Sequence, residues 1–241
     1  DQTGAIRDVI ENHLFQLLAN LAMEPPARLD SESMRAEKVK VLKSIPPIDP
    51  GHVVRGQFRG YHNEPGVAAD SKVETFAAVQ LAIDSWRWEG VPFFIRAGKC
   101  LPVTSTEVVV RLREPAKIFP AVSVPPNYVR FRIGPDTAIA MGAAVMDEAD
   151  AMTGQHVELL ASRHPAANET DAYERVLGDA MTGDVTLFAR EDYVEEAWRI
   201  VDPVLGQATP VYEYAPGTWG PREVVPRVEP EGGWQDPVVK T

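Results

Sequence analysis

The apolar period of this chain changes twice, and that limits the folds open to it more than any other feature. Near the start, Ile10, Leu14, Leu17, Leu18 and Leu21 recur at i, i+4, i+7, i+8 and i+11, a single stripe with helical spacing. Asp8 opens this predicted helix and Pro25-Pro26 stops it. Residues 34–44 read as a second, more charged helix. Ser71 and Glu74 form an S-x-x-E capping box ahead of Phe76, Val79, Leu81 and Ile83, which predicts a third helix ending in Trp86-Arg87-Trp88 before Gly90.

The period then falls to two. Pro92 to Ile95, Glu107 to Leu112 and Tyr128 to Ile133 are short alternating runs, and two more strands are expected near 137–146 and 156–162. Helices return at about 170–181 and 191–200, separated by a strand at Val185 to Ala189. From about 206 the Pro and Gly content predicts an irregular wrap. Helices, then adjacent strands, then helices argue for an α+β fold, a large and mainly antiparallel sheet with helices covering one face.

The chain has 241 residues, 44% of them apolar, enough for a core without disulfides or metals. Its 35 acidic and 24 basic residues leave a net charge of −11, which repels nucleic acid and anionic membranes, so an anionic ligand needs a local cluster of cations. The only cysteine, Cys100, can form neither an internal disulfide nor a CxxC zinc site. No charged-then-apolar leader opens the chain, and no apolar run approaches the roughly 18 residues of a spanning helix. A soluble cytoplasmic protein is expected.

Several chemistries lack their motifs. G-x-G-x-x-G is absent, so the tight turn that presents a dinucleotide pyrophosphate to a helix is missing. Gly98-Lys99 looks like the end of a phosphate loop, but Phe93 stands where its first glycine belongs and Cys100 replaces the Ser/Thr. The G-x-S-x-G elbow, the H-E-x-x-H helix and the calcium loop are also absent. No metal-ligating or cofactor-binding residue is assigned within the chain.

Three residues remain as candidates. Asp8 reads either as a helix cap, with Glu11 its capping-box partner and His13 a polar residue at the rim of the stripe, or as part of a site. At about 100° per residue His13 lies about 60° from Ile10, flanking the buried stripe, which suits a base at a cleft wall. Lys99 follows an apolar strand. It is either a solvated strand end or an ammonium carried by a tight turn at Gly98 toward an anion. His52, His62, His156 and His164 have no paired spacing and read as structural. Trp86, Trp88 and Trp198 read as core and helix-end anchors.

The segments DVIENHLFQLLANLAMEPP from Asp8, EKVKVLKS from Glu37, Gly56-Gln57-Phe58, Glu64-Pro65-Gly66-Val67, SKVETF from Ser71, IDSWRWEGVPFFIRAGK from Ile83, DAYER from Asp171, Ala197-Trp198-Arg199 and Thr218-Trp219-Gly220-Pro221 together resemble the glucose-6-phosphate 1-dehydrogenases. They follow that family's order, and they cover its second, α+β domain, here 1–222, with 223–241 as an irregular tail. The resemblance implies oxidation of glucose 6-phosphate at C1 to 6-phosphoglucono-1,5-lactone with hydride transfer to NADP+, the first step of the pentose phosphate pathway. It makes His13 the proton-accepting base, and Asp8 and Lys99 substrate-binding residues. It places the NADP-binding domain and the carboxylate that orients the base upstream of residue 1, so the chain looks like a fragment, inactive alone. An opening without methionine suits a truncated chain.

Two positions depart from the family pattern. Thr104 stands where a second cation is common, and Gly134 where some members have Gln. The basic residues that some relatives use for a second, structural NADP+ are not matched around His156 to His164. The expected partners are glucose 6-phosphate, the coenzyme domain and a second copy of the chain docked through the sheet as a dimer or tetramer. Alternatives are a non-catalytic regulatory or assembly paralogue, or a dehydrogenase of another sugar phosphate, for which Thr104 is the only support.

Overall fold

A computed structural model describes residues 1–114, 126–146, 154–163 and 172–237, with the backbone alone for 154–156 and 172. His164, Asp171 and the last four residues lie outside the described residues, as does the His156 side chain. A helical segment, Ile6–Leu14, runs into α1 (Phe15–Ala22), followed by α2 (Ser31–Lys43), β1 (Val53–Phe58), β2 (Phe76–Ala82), β3 (Pro92–Gly98) and β4 (Thr106–Arg111). Then come β5 (Tyr128–Gly134), β6 (Thr137–Met146), β7 (Gly154–Arg163), α3 (Ala172–Thr182), α4 (Glu191–Val201) and β8 (Val211–Tyr214). The class is α+β, as expected, with the strands in two four-stranded sheets ordered β3-β2-β1-β8 and β4-β5-β6-β7. All pairs are antiparallel except β1 with β8.

The chain divides into two compact units, Asp1–Pro102 with Asp171–Trp234, and Val103–Thr170 with Gln235–Thr241. The first holds the sheet β3-β2-β1-β8. One face packs Val53, Ala77, Val79 and Leu81 against Ile6, Ile10, Phe15, Leu42, Ala197 and Ile200 from the helices. The opposite face packs Val54, Phe76, Ala78 and Tyr214 under Val224 and Val228 from the carboxyl-terminal segment. That segment is locked by Arg96, whose guanidinium lies 4.5 Å from the ring centroids of both Trp219 and Trp234.

Several expectations fail for physical reasons. The predicted helix from Ser71 is an extended lead into β2. This strand is central and buried on both faces, so Phe76-Ala77-Ala78-Val79 lacks the polar alternation that distinguishes strand from helix. Val185 to Ala189 is turn and coil, with Asp184 Oδ1 accepting from Thr186 N–H at 2.9 Å. The wrap after 206 contains β8, a four-residue strand paired with β1. Trp88 does anchor the core, donating from Nε1 to Ala22 O at 2.9 Å, and Trp198 packs on the same cluster. Trp86 is fully exposed.

The second unit separates its chemistry by face. The register sets Ile139, Met141, Val157 and Leu159 on one side of β6 and β7. On the other side, Glu107 Oε1 accepts from Arg132 Nε at 2.6 Å and from Arg130 Nη1 at 3.2 Å, and Arg130 also pairs with Glu158.

Candidate functional site

The Ile6–Leu14 segment is wound as a π-helix, and Phe15 N–H closes it by donating to Ile10 O five residues back. Asp8 is therefore not its cap, because the helix starts upstream, with Ala5 in the cap position. The start is held instead by Glu74. Ala5 N–H donates to Glu74 O at 2.9 Å and Ile6 N–H to Glu74 Oε1 at 3.1 Å. The other oxygen, Oε2, accepts from Arg55 Nε at 3.1 Å and Nη2 at 2.7 Å. Arg55 spends its remaining donors on the carbonyls of Gly206, Thr209 and Lys72. The S-x-x-E pattern thus marks a helix cap, but for a helix 68 residues away in sequence.

Glu11, expected in a capping box, is 8% exposed, and burial pushes its carboxyl above the usual carboxylate range. Burial and the nearby Glu11 charge also push the Tyr193 phenol well up. Asp8 and His13 are exposed. His13, expected to flank the buried stripe without joining it, faces solvent.

Lys99 is exposed just beyond the end of β3. Its N–H donates to Thr75 O at 2.9 Å, and its carbonyl accepts from Tyr214 Oη at 2.7 Å. Burial pushes the Tyr214 phenol up to about 12. The tight turn is not at Gly98, which ends the strand and whose missing side chain leaves room for Phe76, 2.7 Å from where a Cβ would stand. The left-handed residue is Cys100, with φ of 52°.

Backbone contacts bring these elements to one end of β2: the helix start is tied to Glu74 and Lys99 to its neighbour Thr75, while the π-helix runs alongside β3. A cavity of about 180 Å³ lined by Thr3, Arg7, Arg55, Lys72, Glu74 and Gln207 opens at the same junction, and none of Asp8, His13 and Lys99 lines it. Among the described residues no cluster of His, Cys, Asp and Glu could hold a metal ion, and no helix is long and apolar enough to cross a membrane.

Arg55 and Tyr214 escaped sequence reasoning, and Glu74 was read as the cap of its own helix rather than of the distant one it holds. Arg55 carried a usable signal, since an arginine inside the run Val53-Val54-Arg55-Gly56-Gln57-Phe58 must find an acidic partner if that run is a buried strand.

Relatives extend this picture. Glucose-6-phosphate 1-dehydrogenase 1 of Mycobacterium tuberculosis is 40% identical over 240 residues, covering 98% of this chain and 51% of that protein. Glucose-6-phosphate 1-dehydrogenase of Aggregatibacter actinomycetemcomitans is 40% identical over 241 residues, covering 92% and 49%. The crystal structure of glucose-6-phosphate 1-dehydrogenase from Mycobacterium avium superposes with a TM-score of 0.88 at 41% identity, over 99% of this chain and 52% of that one. A structure of a glucose-6-phosphate dehydrogenase in complex with its substrate glucose-6-phosphate gives 0.82 at 33% identity, over 98% and 51%. The chain spans about half the length of the curated relatives it matches. The family described as glucose-6-phosphate dehydrogenase, C-terminal domain, matches residues 1–235, and the chain belongs to it.

Proposed function

We propose that this chain is the substrate-binding and assembly half of a cytoplasmic glucose-6-phosphate 1-dehydrogenase, with His13 as the base and Asp8 and Lys99 as substrate contacts. The observation that carries the reading is 40% identity across 98% of the chain with an enzyme of that name, together with a family match over residues 1–235 that spans all three residues. Oxidation at C1 of the sugar requires its hydroxyl to lose a proton. Imidazole is the side chain that ionises near neutrality, and an exposed one on a rigid helix can take that proton in the transition state. Asp8 accepts from sugar hydroxyls, and Lys99 supplies a compact positive charge in an acidic protein.

NADP+, the hydride acceptor implied by the family, does not fit the residues present. No G-x-G-x-x-G turn occurs, so its binding is assigned to the part of the relatives' length that this chain does not span. Assembly is assigned to the second sheet, where Ile139, Met141 and Leu159 are 53%, 54% and 69% exposed on one face. The test is NADP+ reduction by the intact dehydrogenase carrying this chain, with glucose 6-phosphate, glucose and other sugar phosphates offered in turn. Preference for glucose 6-phosphate is expected, and a higher kcat/KM for another sugar phosphate would overturn the assignment.

A further inference from the structure

The π-helical winding of Ile6–Leu14 is the least ordinary backbone feature at the site, and the burial along it reports the winding independently. With i→i+5 hydrogen bonds a helix makes about 4.4 residues per turn, or about 82° per residue, against about 100° for an α-helix. Under the wider winding Ile10 and Glu11 fall within about 50° of Ile6, and these three are the buried residues of the segment. An α-winding would carry Glu11 about 140° away from Ile6, and it would bring His13 to about 20° from Ile6, at the edge of the buried face. His13 is exposed and Glu11 is buried, as the wider winding requires.

The same arithmetic fixes the relation between Asp8 and His13. Five residues apart, they would stand about 140° from each other on an α-helix. On the π-helix they stand about 50° apart, with one turn between them, both on the exposed side. We infer that the π-winding, held at its start by the Glu74 carboxylate, is a positioning device that places Asp8 and His13 on one face so that both reach the same ligand. The inference deepens the dehydrogenase reading and rests on it for the identity of that ligand. Neither residue needs a long loop to approach the other. The helix that anchors in the core through Ile6 and Ile10 sets their separation.

Nickel chelation tests the geometry without any sugar phosphate. Two histidines one helical turn apart on one face bind a divalent ion jointly, whereas two on different faces cannot. In the 241-residue chain, Asp8→His should bind Ni2+ at least tenfold more tightly than either the parent chain or the Asp8→His, His13→Ala double variant. Deleting Arg7 from the Asp8→His chain lets the helix relax to α-winding while leaving the pair five residues apart, and it should reduce the affinity to that of the controls. Deleting Asn12 instead leaves the pair four apart, about 40° on an α-helix, and should preserve chelation. Nickel affinity of Asp8→His no higher than the controls overturns the inference, and so does tight chelation after deletion of Arg7. Should either deletion fail to fold, the comparison of Asp8→His with its controls decides alone. A failed nickel test speaks only to the winding, and a failed sugar phosphate assay speaks only to the enzyme assignment.

Discussion

Arg55 and Glu74 form an ion pair, 3% and 5% exposed, in which two guanidinium nitrogens bind one carboxylate oxygen while the other oxygen caps the helix bearing Asp8 and His13. One buried carboxylate therefore connects β1, β2 and the candidate site. The local hydrogen bonding is nearly complete, which is the condition under which a buried pair is tolerated.

Removing one partner should be costly. Arg55→Met leaves the Glu74 carboxylate buried with only the Ile6 N–H, and should lower unfolding free energy by about 3–5 kcal/mol. Urea denaturation of the 241-residue chain checks this. A loss below about 1 kcal/mol would mean that the pair is screened by water and does not anchor the helix.

Glu11 gives a pH-dependent prediction. Burial raises its folded-state pKa, so its favourable contribution is complete below the unfolded carboxylate value and is lost as pH rises through the raised one. Above the raised value the buried carboxylate is therefore a net cost. Glu11→Gln should raise Tm at pH 7 by about 2–4 °C, with the advantage vanishing toward pH 4. Thermal scans at several pH values read it. A variant less stable than the parent at pH 7 would show that the charge is compensated.

The parts of the fold that were legible are those where one property alternated along the strand. The run Val129-Arg130-Phe131-Arg132-Ile133 has apolar residues on one face and charges on the other, so β5 was readable, and the final helix was readable from its apolar stripe at helical spacing. The centre of the first sheet was not, because β1 and β2 are covered on both faces and a doubly buried strand looks like a buried helix. The candidate residues were recognisable from family segments, but their arrangement was not. Helical periodicity assumes 3.6 residues per turn, and nothing in Ile6-Arg7-Asp8-Val9-Ile10-Glu11-Asn12-His13-Leu14 announces a wider winding.

The exposed sheet face predicts self-association. Leu159→Glu places a charge among Ile139, Met141 and Val157 and should convert a dimer to a monomer in light scattering without lowering Tm greatly, since Leu159 is 69% exposed in the single chain. A parent chain that is monomeric at high concentration would contradict it.

The isolated 241-residue chain should form no NADPH from glucose 6-phosphate, because no phosphate-cradling glycine turn occurs in it. Absorbance at the NADPH band during prolonged incubation checks this. Sustained, substrate-dependent turnover would show that this chain binds the dinucleotide by another means.

The central claim is that His13 takes the proton in the transition state, and steady-state kinetics of the intact dehydrogenase carrying this chain test it most directly. His13→Asn should reduce kcat by roughly 10²- to 10⁴-fold and leave the KM for glucose 6-phosphate nearly unchanged, since the lost interaction is made only as the C1 hydroxyl ionises. An unchanged kcat with a raised KM would make His13 a binding residue and contradict the account.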